Sequence, residues 1–250
     1  SHWLNNKRDV SIVRRGYDLF HSIQYMADII RHLPQMRGYD VVQVTNPVFF
    51  DLRPEKNWAI FKYLKKHNKK IFLDALAIDH YYVKACLDGK TFRYSDFFVG
   101  DRPLPHPERE KMLAAWIGGP NERPNIEMAQ EANGIIACLY EYYAAYQPEY
   151  ADKLAYIPIP IDLSINPFHP IKSTPEVVKF FIGIQQHRTA IKGTDILLDV
   201  LREIHDKYPR ESHIQKVVSV PFDEYNKLLV DCHILLDQLY SCTPATNALA

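Results

Sequence analysis

Two cations separated by three residues carry the clearest chemical signal in this sequence. Arg188 and the pair Lys192-Gly193 follow an apolar run that ends at Gly183, and an apolar helical pattern begins directly after them. A guanidinium can donate two parallel hydrogen bonds to phosphate oxygens, and an ammonium adds a compact charge. Because phosphates bind where a parallel strand ends and a helix begins, this spacing predicts a phosphate-binding loop. Surface cations that flank an ordinary turn are the alternative interpretation.

An acid and an imidazole form a second candidate group. Asp79 and His80 come just beyond the apolar run at 71–76. A carboxylate in that position can orient or deprotonate an acceptor hydroxyl. We expect both side chains to face a cleft, since the ends of parallel strands line the ligand sites of α/β proteins. A polar loop pair without a role explains them equally well.

The elements that must position these residues alternate between helix and apolar strand. Apolar residues at helical spacing predict a helix over 17–33 with one buried stripe, formed by Leu19, Phe20, Ile23, Met26, Ala27, Ile30 and Leu33. Further helices are predicted around Trp58 to Leu64, over 194–207 and over 222–231. Strands are predicted at 41–44, 71–76, 134–138, 155–161, 177–183, 216–220 and 234–239. This alternation predicts an α/β protein with parallel sheets covered by helices on both faces.

The order of the elements suggests two Rossmann-like lobes. We predict an N-terminal domain at 1–163 that lacks its first strand, a proline-rich linker at 164–176, and a partial second domain at 177–250. On this interpretation the chain is a fragment, truncated at both ends and inactive by itself.

Composition narrows the function classes. The 30 basic and 30 acidic residues cancel, which argues against a nucleic-acid partner. The 4 cysteines and 11 histidines show no zinc-binding spacing, and no Gly-x-Gly-x-x-Gly occurs, so we expect neither a metal nor a nicotinamide cofactor. No run of about 18 apolar residues is present. We therefore expect a cytoplasmic protein, with peripheral association at the inner face of the membrane left open.

The segment 180–198 resembles the second-domain phosphate loop of GT-B glycosyltransferases of the family 4 type. The matching residues are Gly183, Arg188, Lys192 and Gly193. The stretch 156–162 is similar to the family's crossing into its linker, and 225–239 is similar to its next helix and strand. The resemblance implies two Rossmann-like lobes, the second of them incomplete here.

The resemblance also implies an activity. It is transfer of a sugar from a nucleotide diphosphate sugar, with UDP or GDP, to a hydroxyl of a saccharide or lipid-linked acceptor, as in polysaccharide or glycoconjugate synthesis. Arg188 and Lys192 would bind the donor diphosphate without a metal or cofactor, and Asp79 or His80 would contact the acceptor side. Where the family places two glutamates this chain has Cys242 and Ala250. Ser241, Thr243 and Asn247 are the candidate donor contacts there, although a plain helix cap explains them too. A nucleotide-sugar epimerase and a non-catalytic nucleotide-sugar-binding module are the alternative functions.

Overall fold

The protein is an α/β protein with parallel sheets. Its structure, a computed structural model, describes residues 10–104, 108–160, 173–230 and 232–240. Contacts divide the chain into two compact units, one formed by Ser1–Lys84 with Glu110–Pro158 and the other by Ala85–Arg109 with Ile159–Ala250. The segment Ala85–Arg109 thus belongs to the second unit, although residues of the first unit precede and follow it in the sequence.

The described helices and strands follow the predicted alternation. The helices are α1 (Leu19–His32), α2 (Pro54–His67), α3 (His80–Leu87), α4 (Arg109–Trp116), α5 (Glu122–Glu131), α6 (Tyr140–Tyr150), α7 (Thr189–Lys192), α8 (Thr194–Lys207) and α9 (Phe222–Leu229). The strands are β1 (Val41–Thr45), β2 (Lys70–Ala75), β3 (Phe98–Val99), β4 (Arg102–Pro103), β5 (Gly134–Ala137), β6 (Leu154–Tyr156), β7 (Val178–Ile184), β8 (Ser212–Val218) and β9 (Ile234–Leu236).

The first unit contains a parallel sheet in the order β1-β2-β5-β6. Each strand is added on the same side of the one before it. Right-handed crossovers therefore place α2, α5 and α6 on the same face of the sheet. Val44, Leu73 and Ile135 lie side by side in register on the buried face, with 3%, 0% and 1% of their surface exposed. Burial of each such side chain contributes about 1.5–3 kcal/mol. On the opposite face Gln43 is exposed and Phe72 is half-buried.

Helix α1 confirms the predicted element but not the predicted face. The buried residues are Tyr25 and Ile29, whereas Leu19, Ile23 and Ile30 of the predicted stripe are 77%, 61% and 58% exposed. Apolar spacing at 3.6 residues identifies a helix, yet here the apolar residues extend around more than one side of it. The prediction that this stripe is buried is therefore wrong for these three residues and also for Phe20 and Ala27, which are exposed, whereas Met26 and Leu33 are half-buried.

The second unit contains a parallel sheet in the order β8-β7-β9. Strand β7 is central, and Phe181 and Ile182 within it are fully buried. The crossover through α8 leads from β7 to β8, and the crossover through α9 leads back to the other side of β7. The strand order therefore reverses at β7, and right-handed connections place α8 and α9 on opposite faces.

Some predicted segments fall outside the described residues. Of the predicted linker at 164–176, only 173–176 is described, and the strand predicted at 155–161 is observed as Leu154–Tyr156. Strand β8 begins at Ser212, before the predicted 216–220. Within the described residues, no helix has the length and apolar character that crossing a bilayer requires.

Candidate functional site

The loop that follows β7 builds the candidate site. A short 3-10 helix, Gln186–Arg188, leads into α7, and Gly193 joins α7 to α8. Gly193 has φ 64°, in the left-handed region that costs an L side chain about 1–2 kcal/mol. This glycine lets the chain turn sharply, so that Lys192 ends one helix directly before Thr194 begins the next.

The segment after β9 packs against this turn. A Cβ on Gly193 would lie 2.9 Å from Leu239 Cβ and 3.0 Å from Tyr240 Cε2, so there is no room for a side chain. The Leu239 amide donates to the Lys192 carbonyl across 2.8 Å. The carboxyl ends of the neighbouring strands β7 and β9 therefore meet at Lys192-Gly193, where the strand order reverses. Open α/β sheets bind their ligands at such a reversal.

Burial and a neighbouring cation act together on Lys192. Its ammonium is half-buried, and desolvation lowers the lysine pKa. The carboxylate of Asp237, just after β9, opposes this shift, and the guanidinium charge of Arg188 adds to it. Arg188 is exposed. The Lys192 ammonium is therefore within electrostatic range of both the Asp237 carboxylate and the Arg188 guanidinium, and the carboxylate has the larger effect on it.

The start of α8 adds further donors. This helix has 14 residues, and Gly193 provides no side-chain cap. The first amides of a helix lack partners within it and carry a partial positive charge. Thr194 is fully buried, and its Oγ1 has no hydrogen-bond partner among the described residues. Uncapped helix amides and two nearby cations are groups that can bind a diphosphate.

Gly183 has a packing role at the end of β7. A Cβ at this position would lie 2.6 Å from the hydroxyl and 2.9 Å from Cε2 of Tyr225 on α9. The aromatic ring of Tyr225 also meets Phe181 edge-on, with centroids 5.1 Å apart. Gly183 therefore shapes the strand end through α9. Of the other predicted donor contacts, Ser241, Thr243 and Asn247 lie outside the described residues.

Asp79 and His80 lie at the start of α3, in the first unit. Asp79 is fully buried and accepts hydrogen bonds from the Tyr82 amide at 2.9 Å and the Tyr146 hydroxyl at 2.7 Å. Burial raises the pKa of its carboxyl to about 6. The His80 ring, 6% exposed as a residue, bonds through Nδ1 to the Trp116 carbonyl at 2.9 Å.

These contacts limit what the two residues can do. Asp79 caps the first turn of α3, and the amide of His80 donates to Asn125 Oδ1 at 2.9 Å. Direct contact of the Asp79 carboxylate with an acceptor would require this helix start to open. The proposed acceptor role of the pair stays a prediction.

Sequence reasoning missed a second buried acid at the carboxyl end of β2. Asp74 is 4% exposed, and the Gln43 amide donates to both of its carboxylate oxygens, at 2.9 and 2.8 Å. Desolvation raises its pKa to about 6. A carboxyl group at a strand end whose pKa lies near neutral pH is a candidate proton carrier. The available signal was an acid inside an otherwise apolar strand.

Arg102 and Tyr240 were also missed by sequence reasoning. In the second unit they line a pocket of about 280 Å³ together with Pro103, Leu104, Ala190, Asp195 and Ile196. Ala190 lies between the two predicted cations in the sequence, and Asp195 is in the first turn of α8. Arg102 is distant in sequence from this loop, so spacing alone could not associate them.

The fold and the site define a class only coarsely: an α/β protein with a cationic strand-to-helix junction where the strand order reverses. No group of three or more metal-ligating side chains is found in the described part of the chain. Comparisons of the chain with protein-family models, curated proteins and solved structures give no match.

Proposed function

We propose that this chain is part of a GT-B glycosyltransferase that binds a nucleotide diphosphate sugar at the Lys192-Gly193 junction and transfers its sugar to a hydroxyl acceptor. One observation carries the proposal. Arg188 and the half-buried Lys192 lie within electrostatic range of each other, at the uncapped start of α8 and beside the reversal of strand order. Each of the two units has its own parallel sheet, as each lobe of such an enzyme would.

The chemistry required of this site is stabilisation of a departing diphosphate. Breaking the bond between sugar and phosphate leaves negative charge on the phosphate oxygens. Cations and helix amides that already point at that position stabilise the charge more in the transition state than in the substrate. Desolvation of Lys192 strengthens the effect, because charges interact more strongly where water is excluded. This mechanism uses only side chains and amides of the protein.

The experiment is calorimetric titration of the chain with UDP, GDP and their sugars. Charge-assisted hydrogen bonds contribute about 1.5–3 kcal/mol each, so Arg188→Ala and Lys192→Ala should each weaken binding about tenfold or more. Arg202→Ala and Lys207→Ala serve as controls, because they remove the same charge from the other half of α8. Equal losses in all four variants, or no nucleotide binding by the folded chain, would refute the proposal.

A further inference from the structure

The pocket lined by Arg102, Asp195 and Tyr240 lies beside the proposed diphosphate site but is not explained by it. Its volume of about 280 Å³ is near the lower end of the range of ligand pockets, about 300–1,000 Å³. It has room for one small group and not for a whole nucleotide. Its lining combines a guanidinium, a carboxylate, a phenol and apolar side chains, which is a mixture suited to a polar ligand.

The hairpin of β3 and β4 brings Arg102 to this pocket. The backbone of the hairpin is fixed by hydrogen bonds from the Gly100 amide to the Arg93 carbonyl, at 2.9 Å, and from the Leu104 amide to the Phe97 carbonyl, at 2.8 Å. Phe97 is fully buried. Arg102 therefore projects from an anchored support, which favours a binding role over a freely moving surface cation.

A ring contact connects the hairpin to the phosphate-binding turn. Tyr94 packs on Tyr240 with ring centroids 5.5 Å apart. The Tyr240 ring in turn lies directly against Gly193. The hairpin, the segment after β9 and the start of α8 thus form one continuous set of contacts within the second unit. The same set of contacts would therefore position both an anion bound at Lys192 and a group bound at Arg102.

Within the described residues Arg102 forms no ion pair, although Asp195 lines the same pocket. Asp195 belongs to the uncapped first turn of α8 and follows Thr194, whose buried hydroxyl has no partner among the described residues. Positive charge from Arg102 and from the helix start exceeds the single carboxylate of Asp195. The unmatched charge favours an anionic occupant.

We infer that the Arg102 pocket is a second anion subsite, which binds a carboxylate or phosphate group close to the diphosphate held at Lys192. This inference rests on the proposed function, since the two sites share α7 and α8. The anionic group belongs either to the donor, as the carboxylate of a uronic acid, or to a phosphate-bearing acceptor. Arg102 would then be a residue that determines substrate specificity.

The test is calorimetric titration of the chain with four probes: a nucleoside diphosphate, the same nucleotide carrying a neutral hexose, the same nucleotide carrying a hexuronate, and inorganic phosphate. We expect the hexuronate to bind about tenfold more tightly than the neutral hexose. Arg102→Gln should abolish this difference and leave binding of the plain diphosphate within about twofold. Arg210→Gln, which changes another exposed arginine of the second unit, should leave both unchanged.

The remaining outcomes separate the two possible sources and the two proposals. Phosphate that binds together with the neutral sugar nucleotide, and is lost in Arg102→Gln, supports the subsite with the acceptor as its source. Equal affinities for neutral and acidic sugars, without phosphate binding that depends on Arg102, overturn the subsite while the diphosphate site stands. Phosphate binding that depends on Arg102 in a chain that binds no nucleotide supports the subsite and refutes the proposed function.

Discussion

The Tyr146 hydroxyl donates a hydrogen bond to the Asp79 carboxylate across 2.7 Å, and both residues are fully buried. Burial raises the pKa of Asp79 to about 6 and also raises the pKa of the Tyr146 phenol. The pair therefore couples the start of α3 to the middle of α6 through a group that changes charge near neutral pH. This coupling makes the stability of the first unit depend on pH.

The sign of that dependence follows from the raised pKa of Asp79. The folded protein keeps the proton to a higher pH than the unfolded chain, so the stabilisation is complete below about pH 4 and is lost as pH rises through about 6. Asp79→Asn should reduce the decline in unfolding free energy between pH 4.5 and 7.5 by about 2 kcal/mol. Urea unfolding at both pH values measures it. Asp88→Asn is the control: although desolvation opposes it, hydrogen bonds from Thr91 and Lys90 lower the pKa of Asp88, so its contribution changes only below about pH 4 and leaves this window flat.

The adjacent residues Ile29 and Ile30 test which face of α1 is buried. Ile29 is 0% exposed and Ile30 is 58% exposed, although their side chains are identical. Ile29→Ala should lower the unfolding free energy by about 2–5 kcal/mol, because it leaves a cavity. Ile30→Ala should change it by about 0.5 kcal/mol or less. Denaturant unfolding of the two variants gives the comparison, and equal losses would contradict the observed burial.

Gly193 can be compared with a glycine of the same conformation elsewhere. Gly193 and Gly89 both have φ 64°, but a Cβ on Gly89 meets nothing within 4 Å, whereas one on Gly193 meets Leu239. Gly89→Ala should cost only the backbone strain, about 1–2 kcal/mol. Gly193→Ala should cost more in thermal unfolding and should also weaken nucleotide binding. Equal destabilisation by the two changes would show that Leu239 and Tyr240 move aside easily.

The close approach of Gly183 and Tyr225 predicts a coupled pair of substitutions. Gly183→Ala should destabilise the second unit by about 1–3 kcal/mol, because the new methyl group overlaps the phenol ring. Combining it with Tyr225→Ala should cost less than the sum of the two single changes, since the second change removes the overlap. A double-mutant cycle in urea measures the coupling. Strict additivity would mean that the ring is not the obstacle.

The sequence predicted elements better than it predicted faces and long-range contacts. The helix predicted at 194–207 is observed with those bounds, because its apolar spacing and the preceding glycine are local signals. The exposed side of α1 was not predictable in this way, since the spacing does not show which of several apolar sides meets the sheet. Arg102 reaches the start of α8 through a hairpin contact between distant parts of the chain. The buried state of Asp79 likewise depends on Tyr146, 67 positions further along.

The reversal of strand order at β7 has a further consequence for dynamics. The loop after β7 leads into α8, while the segment after β9 follows α9 on the opposite side of the sheet. An anion bound at Lys192 would therefore stabilise both layers, because the Leu239 amide already joins the segment after β9 to the Lys192 carbonyl. Amide hydrogens in both helices would then exchange with solvent more slowly together, as a single cooperative unit.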